Sequence, residues 1–318
     1  MKMTVILLAL GLVACGGADS EGDDSAPPSD TSDTSTSGPE DTGNVEKNAA
    51  CSAPTTAKNE MFAELDVNGV ARNFRLVIPE ADAGEKLPIF MAFHGGGEGH
   101  YSFPQQDNFL LLGEEQKVIM VNPYAKLVLP NEGAWQLNTT ADSMQDINFV
   151  EAIIDDLSAN YCVDEDRIYA TGYSLGSMFT YELACHLNSR FAAIASHAGT
   201  MPVEPDSCVI EDEIAIMHLH GQGDSIISYN REWDWKEWDS VGTMMNIEGL
   251  ISYWSEKFNC DDGTESDAGT ATHLVHDGCD GGVRVEHYAL RGDHEWPNNI
   301  DGTSTHDVIW NFVSEFSK

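Results

Sequence analysis

The chain has 318 residues, 42% of them hydrophobic, which is enough for one large α/β domain with insertions. Its 53 acidic residues face only 16 Lys and Arg, a formal charge of -37, and this argues against nucleic acid, whose phosphates need a basic footprint. So acidic a surface suits a saline habitat, where salt screens the self-repulsion, or simply keeps the chain soluble.

In chain order, residues 1–14 read as an export signal: Lys2 supplies positive charge, 5–13 are apolar, and Leu12, Val13, Ala14 and Cys15 follow as a small-residue cleavage box. That order resembles a bacterial lipobox, with Cys15 as the lipidated first residue of the mature protein. The apolar run is too short to span a bilayer, so membrane contact is expected through the lipid anchor alone. Residues 15–50 hold almost no large apolar side chains and are expected to be a disordered acidic tether. The catalytic domain is expected over 51–318. Its six cysteines, Cys51, Cys162, Cys185, Cys208, Cys260 and Cys279, form an even set in an exported chain and imply three disulfides. Six cysteines permit fifteen pairings. The pairing expected is Cys185 with Cys208, Cys260 with Cys279, and Cys51 with Cys162.

From about residue 60, short apolar runs alternate with helical patterns. Strands are predicted at 73–78, 89–93, 118–122, 167–171, 192–196, 214–219 and 283–290, several apolar at nearly every position, as in strands covered on both faces. Helices are predicted at 143–161, capped by Asp142 with Gln145 reaching back, and at 175–187, 243–258 and 305–316. Strand, helix, strand in this rhythm implies a doubly wound, mostly parallel α/β sheet with function gathered at the carboxyl ends of its strands.

Gly172, Tyr173, Ser174, Leu175 and Gly176 spell GxSxG directly between a predicted strand and a predicted helix. In that setting the serine sits on a strained strand-to-helix turn, and the flanking glycines avoid colliding Cβ atoms. Upstream, the strand at 89–93 runs into His94, Gly95, Gly96 and Gly97, a turn able to offer Gly95 or Gly96 N–H to an oxyanion beside the N–H of Leu175. Downstream, 214–219 leads into His220, Gly221, Gln222, Gly223 and Asp224, the candidate acid; Asp206, Asp212 and Asp277 follow no strong strand. After the last strand come Gly292, Asp293 and His294, the candidate base, followed by Glu295, Trp296 and Pro297. His306 is the rival base, placed better as a capping or surface residue, and His197 reads as structural. A serine hydroxyl needs a histidine to take its proton, and the histidine needs a carboxylate to fix its tautomer. Ser174, Asp224, His294 is the α/β-hydrolase order.

From these residues the chain resembles the secreted polyhydroxybutyrate depolymerase and feruloyl or acetylxylan esterase group, which is like carbohydrate esterase family 1. The likeness runs over roughly 73–316, strongest in DINFVEAIIDDLSANYCVDEDRIYATGYSLGSMFTYELAC, HLHGQGD, CDGGVRVEHY and GDHEWP. It implies an α/β-hydrolase fold, ester hydrolysis without cofactor or metal, and a polymeric or small ester as the partner: a hydroxyalkanoate polyester or a feruloylated or acetylated polysaccharide. It also implies that Ser174, Asp224 and His294 are catalytic. Relatives often carry a tryptophan near the cleft where Trp135 stands. They differ in having asparagine at the position of Leu175, glycine at Ser177 and glycine at Asn298, which weakens transfer of a substrate.

Trp135, Tyr173, Trp296, Trp233 and Trp235 are the candidate substrate contacts. Trp233, Trp235 and Trp238 lie in REWDWKEWDS, where they either stack on a phenolic acid, sugar or polymer or pack as a satellite core. His218 and His220 share a strand face as metal ligands do, but no further ligand set accompanies them. Cys260, His273, His276 and Cys279 could hold zinc, with a disulfide favoured in an oxidising compartment. Asp261, Asp262, Glu265 and Asp267 lack a calcium-loop signature. An exported enzyme anchored to the bacterial cell envelope is expected; the competing expectation is a non-catalytic surface lipoprotein that binds carbohydrate or a partner.

Overall fold

The computed structural model describes residues 49–96, 106–129, 132–205, 208–234 and 241–318. The export signal, Cys15, the tether up to residue 48, Gly97, Asp206, Trp235 and Trp238 lie outside the described residues; Ala49 and Ala50 join a 3-10 turn, Ala49–Ser52, rather than the tether. Apolar runs become strands because burial on both faces requires side chains that need no water at every position. In chain order the strands are β1 (Lys58–Val67), β2 (Val70–Ile78), β3 (Leu87–Phe93), β4 (Ile119–Pro123), the hairpin β5 (Lys126–Leu129) and β6 (Glu132–Ala134), β7 (Val163–Tyr173), β8 (Ala193–His197) and β9 (Ala215–Gly221). A small ladder, β10 (Trp233–Asp234) with β11 (Thr243–Met244), precedes β12 (Thr264–Ala268), β13 (Ala271–His276) and β14 (Val285–Leu290).

Ten of these form one sheet in the order β1-β2-β4-β3-β7-β8-β9-β14-β13-β12. The six strands from β4 to β14 are mutually parallel, and an antiparallel pair closes each edge. The helices are α1 (Gln106–Gln116), α2 (Gln145–Asn160), α3 (Leu175–His186), α4 (Ile247–Lys257) and α5 (Thr305–Val313). The two-residue strand repeat divides the core. Ile89, Met91 and Phe93 of β3 point to the face carrying α2, α3 and α4, and Phe90 and Ala92 point to the face carrying α1 and α5. No described helix is long and apolar enough to cross a membrane.

The predicted buried strands and four predicted helices are present with shifted ends. Four details differ. Helix α2 starts after Met144 rather than Asp142, with no side-chain cap, and Gln145 pairs with Gln136 instead of reaching back. Thr243 and Met244 are strand, and Asn246 caps α4 by accepting from Gly249 N–H. Helix α1 was missed because Gly113 interrupts its sequence; a Cβ there would meet Met120 Cγ at 2.3 Å, so glycine is needed where the helix packs on β4. The outer strands β1, β12 and β13 also escaped, since they lack an apolar run; β1 and β12 are largely exposed and β13 is mostly half-buried.

The disulfides are Cys51–Cys162, Cys185–Cys208 and Cys260–Cys279. Cys260 and Cys279 therefore bond each other and offer no thiolate to zinc.

Candidate active site

Strand β7 delivers Ser174 to the carboxyl edge of the sheet, and α3 departs at the next residue. Ser174 has φ 54° and ψ -119°, a strained conformation for a residue with a side chain, which lifts its hydroxyl off the turn. Both glycines of GxSxG are sterically obligatory: a Cβ on Gly172 would meet Gly176 O at 2.2 Å, and one on Gly176 would meet Phe93 O at 2.1 Å. Backbone N–H of Ser174 donates to His197 O of the neighbouring strand, fixing the turn at 2.9 Å.

Ser174 Oγ lies 2.9 Å from His294 Nε2, and His294 Nδ1 lies 2.7 Å from Asp224 Oδ2. Nδ1 must carry the proton because it faces a carboxylate, which leaves Nε2 free to accept from the serine hydroxyl. Asp224 follows β9 and is 8% exposed. Its Oδ1 accepts from the N–H groups of Ile226 and Ile227, at 2.9 and 2.8 Å. Burial alone would raise the Asp224 pKa, but hydrogen bonds from His220, His294 and Ile227 outweigh it and hold the carboxyl well below the usual range.

The loops carrying Asp224 and His294 are joined directly. Asp293 accepts from the N–H and hydroxyl of Ser225 at 2.7 and 2.9 Å and from the N–H of His294 at 2.8 Å, and these bonds, Ser225 N–H first, lower its pKa. Tyr173 donates its hydroxyl to His294 O at 2.5 Å, tying the base loop to the elbow. Ser174, Asp224 and His294 are thus brought together, whereas His306 lies in the first turn of α5 against Ser304. His197 is wholly buried and stacks on Tyr173, 5.5 Å between ring centres.

Gly95 packs against Ser174, its would-be Cβ 3.1 Å from Ser174 Cβ, and Gly96 lies over Leu175. Leu175 opens α3, where the first amides have no partner within the helix and carry the positive end of its dipole. His94 braces this loop: its Nδ1 lies 2.7 Å from Gly95 O and its Nε2 accepts from Ala125 N–H at 3.1 Å.

Trp135 does not line the cleft, contrary to expectation. It is 1% exposed, stacks on Phe179 at 4.8 Å and donates its indole N–H to His94 O at 2.9 Å, so it supports the turn at His94 and Gly95 from behind. Trp233 packs partly buried against the core of the α2 side, the satellite alternative. Trp296 packs edge-on to Tyr173 and lies 4.9 Å from the His197 ring, half-buried beside the triad. His218 and His220 point at one another, Nε2 to Nδ1 at 3.1 Å, so their shared strand face is spent on a mutual hydrogen bond. Among the described residues no group of three His, Cys, Asp or Glu is placed to hold a metal.

A strained serine on a strand-to-helix turn, in line with a histidine and a buried carboxylate at the carboxyl edge of a parallel sheet, defines the α/β-hydrolase class. Residues 75–238, over half of the chain, match the phospholipase/carboxylesterase family, to which the chain belongs. Among curated relatives, a bifunctional acetylxylan esterase/xylanase of Neocallimastix patriciarum is 23% identical over 78% of this chain and 34% of that protein. Feruloyl esterase B of Piromyces equi is 24% identical over 59% of this chain and 34% of its own length. A putative esterase of Nocardia uniformis is 28% identical over 57% and 52%. The chain thus spans between a third and a half of these relatives. Of solved structures, an acetyl xylan esterase from Aspergillus awamori shares the fold with a TM-score of 0.59 at 13% identity, covering 82% of this chain and 99% of that one. A ferulic acid esterase superposes with a TM-score of 0.51 at 14% identity, over 82% and 98%.

Proposed function

We propose that the chain is a serine carboxylic-ester hydrolase acting on feruloyl or acetyl esters of polysaccharide, with Ser174 as nucleophile, His294 as base and Asp224 as acid. The carrying observation is the unbroken line from Ser174 Oγ through His294 to Asp224, with steps of 2.9 and 2.7 Å. Ser174 Oγ attacks the acyl carbon while its proton passes to His294 Nε2. The oxyanion is held by the N–H of Leu175 and that of Gly95 or Gly96. Collapse expels the alcohol with the proton from His294. Water, deprotonated by the same nitrogen, then attacks the acyl-serine, releasing the acid and restoring the hydroxyl. No cofactor enters either step.

The substrate class is supported by the names of the matched relatives, acetylxylan and feruloyl esterases. A hydroxyalkanoate polyester, which the resemblance of GYSLG, HGQGD and GDHEWP also implies, is the second acyl class for the assay. Half-buried Trp296 and Tyr173 beside the triad supply an aromatic wall for a phenolic acyl group or a sugar. Three disulfides fit an exported enzyme, in keeping with a lipid anchor on Cys15. A panel of short nitrophenyl esters, ethyl ferulate, acetylated xylan and polyhydroxybutyrate, run on wild type and Ser174→Ala, tests this. Turnover of ethyl ferulate or acetylated xylan that vanishes in Ser174→Ala is the expected result. No turnover of any ester, with no fluorophosphonate adduct on Ser174, would favour a binding protein with a hydrolase fold.

A further inference from the structure

Asp224 has a partner that the three-residue line leaves unused. Its Oδ2 lies 3.1 Å from His220 Nε2 as well as 2.7 Å from His294 Nδ1. From there a series of contacts runs away from the cleft. His220 Nδ1 is 3.1 Å from His218 Nε2, and His218 Nδ1 is 2.7 Å from the hydroxyl of Tyr181. All three side chains are buried, at 0%, 0% and 1% exposure. The placement follows from the strand repeat: two residues apart on β9, the imidazoles share the face that also carries Ile216, and α3 lays Tyr181 on that face.

With one proton placed on each ring, the donors and acceptors can be assigned. His220 Nε2 faces two acceptors, Asp224 Oδ2 and Ile227 O at 3.0 Å, so it carries the hydrogen. His220 Nδ1 then accepts, which makes His218 Nε2 the donor. His218 Nδ1 accepts in turn, and Tyr181 donates. Every bond points toward Asp224, so each polarises the next in the same sense.

We propose that Tyr181, His218 and His220 are positioning residues for the acid of the triad, a one-way hydrogen-bond relay that fixes Asp224 as an anion aimed at His294. It rests on the reading of Ser174, His294 and Asp224 as that triad. Two further histidines pack around the relay. On β14, His287 stacks on His218 with ring centres 5.5 Å apart, donates Nδ1–H to His218 O at 3.0 Å and accepts at Nε2 from the Tyr229 hydroxyl at 2.9 Å. His197 on β8 is buried nearby, and no carboxylate other than Asp224 hydrogen-bonds His218, His220, His287 or His197 among the described residues. Burial holds His218 well below its ordinary value and pushes Tyr181 up, so His218 stays neutral and Tyr181 keeps its proton.

A relay of this kind has a kinetic signature that packing lacks. Each donor draws off part of the charge of the Asp224 carboxylate. With a donor lost, more of that charge faces His294, the imidazolium is held more firmly, and the acid limb of kcat/KM moves to higher pH. No relay atom lines the cleft, so KM should stay put.

The test is the pH profile of kcat/KM with a short nitrophenyl ester for the full chain and for Tyr181→Phe, His218→Leu and His218→Gln. We expect kcat to fall about threefold in Tyr181→Phe and about tenfold in His218→Leu at unchanged KM, with the acid limb raised by roughly half a pH unit in both. His218→Gln, whose amide nitrogen can stand where Nε2 stood, should restore both limb and rate. Acid limbs of Tyr181→Phe and His218→Leu that coincide with wild type would overturn the relay, whatever happens to melting temperature. If His218→Leu does not fold, the Tyr181→Phe limb alone decides. Failure of the triad reads differently, as wild-type turnover in Ser174→Ala.

Discussion

Gly176 matters for the atom it lacks. A methyl group there would sit 2.1 Å from the carbonyl oxygen of Phe93, a backbone atom in a central strand that cannot give way. Gly176→Ala is therefore expected to displace the turn and abolish fluorophosphonate labelling of Ser174; a folded, fully labelled variant would show that the turn tolerates the Cβ. Asp224→Asn keeps the shape but presents an amide to His294 Nδ1, which favours the wrong tautomer, and kcat should fall by about 10⁴ with little change in KM. The same aspartate sets a pH expectation. Its pKa is depressed in the fold, so it favours the native state above its unfolded value of about 3.9, and that contribution is lost only as pH falls through the lower folded value.

Strand β2 and helix α2 are locked by Arg72 and Asp146, 2.8 Å apart with side chains 8% and 3% exposed, the guanidinium lying 4.2 Å over the Phe149 ring. Removing one partner strands a buried charge, so Arg72→Met should cost about 3–5 kcal/mol in urea unfolding. The double variant Arg72→Met/Asp146→Leu should recover most of that; an equal loss in both would assign the cost to packing on Phe149. Neither residue was singled out in the sequence, since an ion pair between positions 72 and 146 has no local pattern. Strands such as LPIFMAF were legible because they are apolar at every position, and the elbow because its glycines flank a serine between strand and helix. The outer strands were not: many side chains of β1 and β12 face water, and β13, though half-buried, mixes Thr272, His273 and His276 with its apolar residues and shows no apolar run. Trp135 was misplaced for a related reason: an aromatic near a catalytic loop can face the cleft or brace the loop, and only the position of His94 O decides. His218 and His220 were noticed as an HxH pair, and the sign of their use lay in Asp224 four residues after the second histidine.

Three buried histidines, His197, His218 and His287, are held below their ordinary values, chiefly by burial, His287 down to about 4. Each binds a proton more readily when the chain unfolds. Stability is therefore complete above their unfolded value of about 6.5 and declines as pH drops toward the folded values, by up to about 1.4 kcal/mol per histidine per pH unit. A melting temperature no lower at pH 5 than at pH 7.5 would contradict this. The formal charge of -37 adds self-repulsion, and raising salt from 0.05 to 1 M, both nominal concentrations of about that size, should lift the melting temperature as screening shortens its range. The bond between Cys51 and Cys162 closes a loop of 111 residues holding β1 to β6, α1, α2 and the turn at Gly95, while Ser174, Asp224 and His294 all come later in the chain. A protease that nicks the backbone once inside that loop would produce two polypeptides still covalently married, running as one band until thiol is added, and the severed enzyme would keep its working parts assembled.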